Sequence, residues 1–142
     1  MNLRFQRLSD AAVLPIQAHP HDAGFDVSAA EAATVAPGQR ALIATGFAVA
    51  IPEGHAGLLL PRSGLASKRG LTLANAPGLI DAGYRGEVKV AVVNLDLTEA
   101  VDIAVGDRIA QLVVMPVPPI ESGWVDVLPE TVRGDKGFGS TG

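Results

Sequence analysis

A single carboxylate near the middle of the chain lies between two turn signals. Residues 75–87 read NAPGLIDAGYRGE, where a Pro-Gly and an Ala-Gly pair favour turns and the apolar residues between them, Leu79 and Ile80, favour a strand. This pattern predicts a tight β-hairpin with Asp81 at its mouth. An Asp before a small residue and Gly is also a common turn former, whose side chain bonds its own backbone. The stretch alone leaves both roles of Asp81 open.

A second stretch, residues 61–70, carries groups suited to binding an anion. It reads PRSGLASKRG, where Ser63 is placed to cap the start of a short helix and Gly70 to end it. The first backbone N–H groups of a helix have no partner inside the helix, and here they would lie beside the positive charge of Arg62. We predict that this segment is the one true helix of the chain.

Other polar residues earlier in the chain have weaker signals. Asp26 follows Gly24 by two residues, so this carboxylate lies beside a position that tolerates unusual backbone angles. His19 and His21 flank a proline, and His55 lies in a Pro-Glu-Gly-His turn. Because the chain has three histidines and no cysteine, we expect His19 and His21 to be solvated loop residues rather than metal ligands.

The elements that must position these groups are mostly strands. Sixteen glycines and ten prolines in 142 residues leave few windows for a long helix. Strands are predicted over 3–8, 47–51, 58–60, 88–92, 101–105 and 108–115. Turns at 52–55 and within 75–87 predict two hairpins, and residues 28–33 are predicted to be a loop or strand. The pattern predicts an all-β, jelly-roll-like antiparallel sandwich or barrel with one short helix.

Composition limits the class of protein and its location. A hydrophobic content of 48% with 18% charged residues predicts a folded domain, and the aromatic content of 4% predicts a core of Val, Leu, Ile and Ala. There is no run of about 18 apolar residues and no apolar signal-peptide core near the start, so we expect a soluble cytoplasmic protein without a membrane partner. The lack of cysteine fits a reducing compartment.

The net charge limits the ligands that the chain can bind, and the composition of its last residues predicts an arm. A net charge of −4 gives no electrostatic footprint for nucleic acid, so any phosphate ligand must be held by local groups. The last fourteen residues contain four glycines and little to bury. We therefore predict a β domain over residues 1–128 and a flexible, glycine-rich C-terminal arm over residues 129–142.

Five segments, taken in order, resemble the five motifs of the homotrimeric dUTPase family. They are AGFDV at 23–27, PRSGLA at 61–66, GLIDAGYRG at 78–86, GDRIAQL at 106–112 and RGDKGFGSTG at 133–142. Glycine-rich pentamers arise by chance, but five in the order of the family are hard to obtain by accident. The resemblance covers nearly the whole chain from residue 23 to residue 142.

The resemblance implies hydrolysis of dUTP to dUMP and pyrophosphate by attack of water on the α-phosphorus, with Mg²⁺ bound across the triphosphate. Such a site needs charge neutralisation, positioning and one group that orients water. Asp81 would activate the water, and Asp26 would act in the outer shell of the metal, through water or by fixing a phosphate-binding arginine. The phosphates would be bound by Arg62, Ser63, Gly64, Gln111 and, on an arm that closes the site, Arg133, Gly139, Ser140 and Thr141.

The same resemblance implies how the nucleoside is read. Asn75 and the backbone of Leu79 and Ile80 would match the edge of uracil in a loop too tight for the methyl group of thymine, Tyr84 would exclude a ribose 2′-hydroxyl, and Phe138 would stack on the base. The family relation also implies a homotrimer in which each site is built from three chains. Plainer alternatives are that Tyr84 is a core residue, Phe138 a tail anchor, and Arg62 or Arg133 a solvated charge.

One departure from the family and three rival functions remain open at this point. Lys136 stands where the family usually has glycine, and we expect it to face solvent beside Asp135. A dCTP deaminase would share the fold but would use a glutamate in the hairpin to activate water. A non-catalytic nucleotide-sensing module would need no Asp81. A generic β-sandwich would explain the strands without the five motifs.

Overall fold

The computed structural model describes residues 2–135 and residue 137, and this part contains ten strands and one helix. The strands are Arg4–Arg7 (β1), Phe25–Ser28 (β2), Ala33–Val35 (β3), Arg40–Ala50 (β4), His55–Leu60 (β5), Leu71–Leu73 (β6), Gly78–Ile80 (β7), Glu87–Asn94 (β8), Val101–Ile103 (β9) and Arg108–Pro116 (β10). The helix, Ser63–Arg69 (α1), lies between β5 and β6. No helix in the described residues is long and apolar enough to cross a membrane.

The strands form two four-stranded sheets and one two-stranded sheet. The first sheet has the order β1-β4-β8-β6, the second has the order β2-β10-β5-β7, and β3 pairs with β9. Neighbouring strands are antiparallel throughout these sheets. The predicted all-β, jelly-roll-like antiparallel fold with one short helix is confirmed.

Both predicted hairpins are wrong, although their turns are present. The amide of His55 donates to the carbonyl oxygen of Pro52 at 3.1 Å, but the flanking strands β4 and β5 belong to different sheets. The amide of Tyr84 donates to the carbonyl oxygen of Asp81 at 3.0 Å, yet β7 pairs with β5 while β8 pairs with β4 and β6. Each turn therefore carries the chain from one sheet to the other. The two sheets can then pack face to face and bury the apolar face of each.

The core lies between the two four-stranded sheets and is mainly aliphatic, as the composition predicts. Val27 and Leu112 from one sheet and Ile43, Val90 and Val92 from the other are each at most 1% exposed. Strand β8 shows the cause, because its buried positions alternate with partly or fully exposed ones. This alternation turns one face of the sheet towards the core. Polar residues can then be placed in the loops at the ends of the strands.

The described residues 117–135, which follow β10, are exposed. Beyond Pro116 the described residues form no helix or strand. Several apolar side chains lie in this stretch without cover, and Trp124 and Val132 are fully exposed. An exposed apolar stretch of this kind is typical of a surface that another chain covers.

Candidate active site

Three strands of one sheet bring residues from separate parts of the chain together. On the central strand β10, Gln111 lies opposite Asp26 of β2 on one side and opposite Leu60 of β5 on the other. Arg62 follows Leu60 by two residues, at the point where β5 ends and α1 is about to begin. The pairing register therefore brings Asp26, Arg62 and Gln111 to the same place, although they are far apart in the sequence.

These residues line an open cleft of about 730 Å³ that we call the basic cleft. Its charged residues are four bases, Arg62, Lys68, Arg69 and Arg108, and two acids, Asp22 and Asp26. The formal charge of this lining is therefore 4 − 2 = +2, with the histidine counted as neutral, on a chain whose net charge is −4. The cleft is a positive region on an acidic protein, which suits a small polyanion.

Asp26 is held between two arginines at the centre of the basic cleft. Its Oδ1 lies 3.2 Å from Nε of Arg62, and its Oδ2 lies 3.1 Å from Nη1 of Arg108. Each carboxylate oxygen thus has its own guanidinium. This geometry supports the predicted role of Asp26 in fixing an arginine. Sequence reasoning missed Arg108, although it is the only basic residue of the segment 106–112.

The side-chain amide of Gln111 is oriented by a backbone carbonyl group and by the absence of a side chain at Gly24. Its Nε2 donates to the carbonyl oxygen of Pro61 at 2.9 Å. A Cβ added to Gly24 would lie only 2.7 Å from Oε1 of Gln111. A side chain at residue 24 would therefore displace the amide of Gln111, and sequence reasoning assigned Gly24 no such role.

The end of α1 that faces the cleft differs by one residue from the prediction. The N-cap is Arg62, in an extended conformation (φ −91°, ψ 124°), and no side chain caps the helix. The prediction that Ser63 is the cap is therefore wrong, because Ser63 is already the first helical residue. Both Ser63 and Gly64 line the basic cleft. At the other end, Gly70 closes the helix in the left-handed conformation (φ 67°), as predicted.

A hydrogen-bonded turn supports the end of α1. A Cβ on Gly70 would lie 2.7 Å from the amide nitrogen of Asp96, so the turn packs directly on the helix end. The buried side chain of Asn94 donates to two backbone carbonyl oxygens and accepts the amide of Asp96 at 2.9 Å. Backbone amides of Thr98 and then Glu99 donate to the carboxylate of Asp96, and these bonds lower the pKa of Asp96.

A second cleft, of about 600 Å³, is formed by the central segment, and we call it the Asp81 cleft. It contains Asn75, Leu79, Asp81 and Tyr84. Strand β7 explains the order of its side chains, because Gly78 and Ile80 are buried while Leu79 is exposed. Ile80 also lines the cleft, but its side chain belongs to the core, so its backbone is the part available to a ligand.

The carboxylate of Asp81 is exposed and is not used to form the turn. Within the described residues it accepts no hydrogen bond, and the turn is closed instead by the backbone carbonyl of Asp81. The plain turn-forming role therefore has no support in the structure. Tyr84 donates its hydroxyl to the carbonyl oxygen of Glu87 at 2.9 Å. Its ring lies over Gly86, where a Cβ would collide with the phenolic oxygen, so this glycine makes room for Tyr84.

The two clefts are separate within one chain. Among the described residues, none that lines the basic cleft also lines the Asp81 cleft. The structure thus brings Asp26, Arg62 and Gln111 together, and Asn75 and Asp81 together, but it does not bring the two groups together.

The predicted residues of the arm are only partly described. Arg133 is exposed beside a turn in which the amide of Gly134 donates to the carbonyl oxygen of Thr131 at 3.1 Å. The remaining predicted positions, Lys136, Phe138, Gly139, Ser140 and Thr141, lie outside the described residues.

The residues that could hold a metal are few. In residues 2–135 and 137, no three His, Cys, Asp or Glu side chains are grouped so that they could ligate an ion. Of the predicted loop histidines, His19 and His21 are exposed, and His19 lies 3.3 Å from the carboxylate of Asp22. Both oxygens of Asp26 already face guanidinium groups. This carboxylate is therefore better suited to contact a metal ion through water than to ligate it directly.

Comparison with known proteins points to a single family. The dUTPase family model matches residues 10–142. The deoxyuridine 5′-triphosphate nucleotidohydrolase of Leifsonia xyli is 58% identical over 129 residues, covering 91% of this chain and 85% of the relative. The enzyme of the same name from Corynebacterium jeikeium is 52% identical over 143 residues, covering 99% of this chain and 92% of the relative.

Solved structures agree with the sequence matches. The dUTPase of Staphylococcus bacteriophage 80alpha, solved with dUpNHpp, superposes with a TM-score of 0.91 at 35% identity, covering 99% of this chain and 98% of the phage chain. A mutant dUTPase of phage phi11 of S. aureus, described with a structural Mg(II) ion, superposes with a TM-score of 0.82 at 34% identity over 89% of this chain and 98% of that one. The chain belongs to the dUTPase family.

Proposed function

We propose that this chain hydrolyses dUTP to dUMP and pyrophosphate by attack of water on the α-phosphorus. The observation that carries the proposal is the division of polar groups between a basic cleft and a cleft with an exposed carboxylate. The first suits the phosphates, and the second suits the nucleoside and the attacking water. The reaction would supply dUMP and lower the dUTP available for incorporation into DNA. We place it in the cytoplasm, which the absence of cysteine fits.

Asp81 is proposed to hold the attacking water. Its carboxylate is exposed in the cleft and is not occupied by another described residue, so its oxygens are available to accept a hydrogen bond from water. A water oriented in this way can present a lone pair to phosphorus while its proton passes to the carboxylate. The turn is closed by the backbone carbonyl of Asp81, so its side chain is not needed to form the turn.

The basic cleft is proposed to bind the phosphates. Arg62 and Gln111 supply donors from positions that ion pairing with Asp26 and a hydrogen bond to Pro61 hold in place. Ser63 and Gly64 line the same cleft. Hydrolysis of a phosphoanhydride depends mostly on such positioning and on neutralising charge, since the bonds that change belong to the substrate and the water.

Mg²⁺ is proposed as the cofactor. When bound to the triphosphate, the ion would neutralise phosphate charge and make the pyrophosphate a better leaving group. Mg²⁺ commonly keeps several waters and binds substrate phosphates directly, so it does not require a cluster of protein ligands. Asp26 would interact with it through water, in agreement with a carboxylate whose two oxygens already face arginines.

The Asp81 cleft is proposed to read the nucleoside. Asn75 and the backbone of β7 can match the polar edge of uracil, while exposed Leu79 covers an apolar face. Tyr84, held by its bond to Glu87, would lie against the sugar and leave no room for a 2′-hydroxyl. Such a site discriminates strongly because a buried polar group without a partner costs about 1–3 kcal/mol.

We propose a homotrimer in which different chains complete each site. The separation of the two clefts within one chain supports this arrangement, and the exposed apolar side chains of the stretch after β10, with Trp124 among them, support contact with another chain. On this proposal residues 1–128 form the β domain and residues 129–142 form an arm that closes a site. Arg133, Ser140 and Thr141 would then bind the terminal phosphates, the backbone of Gly139 would contribute there, and Phe138 would stack on the base.

Incubation with two substrates tests the proposal. The protein is supplied with dUTP and with dCTP in the presence of Mg²⁺, and pyrophosphate and ammonia are measured. We expect pyrophosphate from dUTP and no ammonia from dCTP. Ammonia from dCTP would assign the chain a deaminase function instead. Binding of dUTP without turnover would make it a nucleotide-sensing module.

The role of Asp81 is tested by the variant Asp81→Asn. Loss of the carboxylate should lower kcat roughly 10²- to 10⁴-fold and leave dUTP binding nearly unchanged, because the amide accepts a proton far less readily. Asp10→Asn, an exposed aspartate that lines neither cleft, is the matched control. Turnover of Asp81→Asn at the wild-type rate would contradict the mechanism.

A further inference from the structure

His19 is a titratable residue on the rim of the basic cleft. It lines the cleft together with Asp22 of the same loop, and its side chain is 80% exposed. Nδ1 of His19 lies 3.3 Å from Oδ2 of Asp22, and this contact is a hydrogen bond when Nδ1 carries the proton, because an ionised carboxylate only accepts. Within the described residues, Nε2 of His19 makes no hydrogen bond. Nε2 is therefore available to a ligand in the cleft.

The loop that carries His19 is held in place at several points. The amide of Asp26 donates to the carbonyl oxygen of Ile16 at 2.9 Å, so the loop begins opposite the residue at the centre of the cleft. Oδ2 of Asp22 accepts the amide of His19 at 2.9 Å, and the amide of Asp22 donates to the carbonyl oxygen of His19 at 3.2 Å. The side-chain amide of Gln17 donates to the carbonyl oxygen of Asp22. These bonds hold the backbone of His19 without using its imidazole ring.

Protonation of His19 would change both its charge and its hydrogen bonding. An imidazole ordinarily changes charge between about pH 5 and pH 8. In the neutral ring with the proton on Nδ1, Nε2 can only accept a hydrogen bond, whereas in the charged ring Nε2 donates one. The formal charge of the cleft lining rises at the same time from +2 to +3. Both changes favour an anion in the cleft.

The charged groups that line the cleft with His19 are mostly basic. They come from the same loop, from β2, from α1 and the residue before it, and from β10, and they are Asp22, Asp26, Arg62, Lys68, Arg69 and Arg108. Asp26 already faces two arginines. In residues 2–135 and 137, neither Lys68 nor Arg69 forms an ion pair. A protonated His19 is therefore offset by Asp22 alone, and a bound anion would stabilise it.

We propose that His19 is a pH-dependent binding residue of the basic cleft, whose protonated imidazole contacts the polyphosphate and whose neutral form does not. This inference rests on the proposed function, because it names a regulation of the same site. A bound polyanion favours the charged ring, so binding takes up protons. The contribution of His19 is therefore present at low pH and is lost as the pH rises through the range in which the ring titrates.

Binding of inorganic tripolyphosphate without metal measures this contribution in the absence of hydrolysis. Titration calorimetry at about pH 6 and about pH 8 would compare the wild type, His19→Gln and the control His55→Gln, which removes an imidazole that does not line the basic cleft. Tripolyphosphate itself gains protons in this range, but the ratio of two affinities at one pH cancels that effect.

The two substitutions should differ only at the lower pH. We expect His19→Gln to weaken tripolyphosphate binding roughly 3- to 10-fold at about pH 6 and less than about twofold at about pH 8, as for one charged contact that solvent partly screens. His55→Gln should change it less than about twofold at both. Equal losses in His19→Gln at both pH values would indicate support of the loop and would overturn the proposal. Equal losses in the two variants would do the same, as would a wild type that does not bind tripolyphosphate.

His19→Lys provides a charge that does not titrate in this range. It should bind tripolyphosphate about as the wild type does at the lower pH and more tightly than the wild type at the higher pH. Proton uptake on binding is a further readout, obtained by repeating the titrations in buffers with different heats of ionisation. At about pH 6.5 the uptake should be smaller in His19→Gln than in the wild type, and equal uptake would contradict the proposal.

Steady-state kinetics with dUTP relates this inference to the reaction. Between about pH 6 and about pH 8, KM should rise more in the wild type than in His19→Gln, while the ratio of their kcat values stays constant, because His19 does not line the cleft that holds Asp81. An equal rise of KM in both enzymes would contradict the role of His19. A wild type that shows the pH-dependent difference in tripolyphosphate binding but releases no pyrophosphate from dUTP would sink the proposed function and leave this inference standing.

Discussion

Replacing Gly24 by alanine tests how the position of Gln111 is set. The added Cβ would lie 2.7 Å from Oε1 of Gln111, 3.3 Å from its Cβ and 3.4 Å from its Cδ. Even close carbon–oxygen contacts are usually roughly 3.3–3.6 Å long, so the amide must move. The same amide donates from Nε2 to the carbonyl oxygen of Pro61 at 2.9 Å, and this bond is lost when the side chain turns away.

The effect on stability and the effect on function should differ in size. The atom that must move is the end of a flexible side chain that can reach solvent, so the cost in unfolding free energy is about 1 kcal/mol, the net value of one hydrogen bond. For a domain of this size the melting temperature would fall by roughly 4 °C. A bond from Gln111 to a charged phosphate is larger, about 1.5–3 kcal/mol, so kcat/KM for dUTP should fall roughly 10- to 100-fold.

The assay is pyrophosphate release from dUTP. A double-mutant cycle with Gln111→Ala shows whether the effect passes through Gln111. In the Gln111→Ala background, Gly24→Ala should change kcat/KM by less than about twofold. The reasoning is refuted if Gly24→Ala keeps the wild-type kcat/KM, or if its loss multiplies in full with that of Gln111→Ala.

Three other substitutions probe the parts that support the clefts. Asn94→Asp puts a carboxylate against two backbone carbonyl oxygens in a buried position and should lower the unfolding free energy by about 3 kcal/mol or more in urea denaturation. Because the folded pKa of Asp96 is lowered, its stabilising effect is present above its unfolded pKa of about 4 and is lost as the pH falls through the folded value. Asp96→Ala should therefore lower the melting temperature at neutral pH and should flatten its fall in acid, whereas unchanged acid dependence would contradict a role for the bond from Thr98. Gly86→Ala would place a Cβ against the hydroxyl oxygen of Tyr84 and displace the ring, so it should reduce the preference for dUTP over UTP about tenfold or more, measured as a ratio of kcat/KM values.

Much of the secondary structure could be predicted from the sequence because local patterns determine it. Alternation over residues 88–92 corresponds to buried and exposed positions of β8, and the glycine at residue 70 ends α1 in the left-handed conformation. The first helical residue was missed by one position, since Arg62 rather than Ser63 precedes the helix. The partner of each strand was not predictable, because alternation shows which face is buried but not which strand lies beside it.

The candidate site likewise has features that the sequence predicts and features that it does not. The sequence by itself determined the types of residue, their order in five segments and the family to which they belong. Only the tertiary structure decided that Asp26 lies between Arg62 and Arg108, since three antiparallel strands bring these distant residues together. It also decided that Asp81 lies in a different cleft from these charges, because the turn that holds it crosses between the two sheets. The residue types of each segment follow from the local sequence. The placement of the segments in two separate clefts depends on packing across the chain.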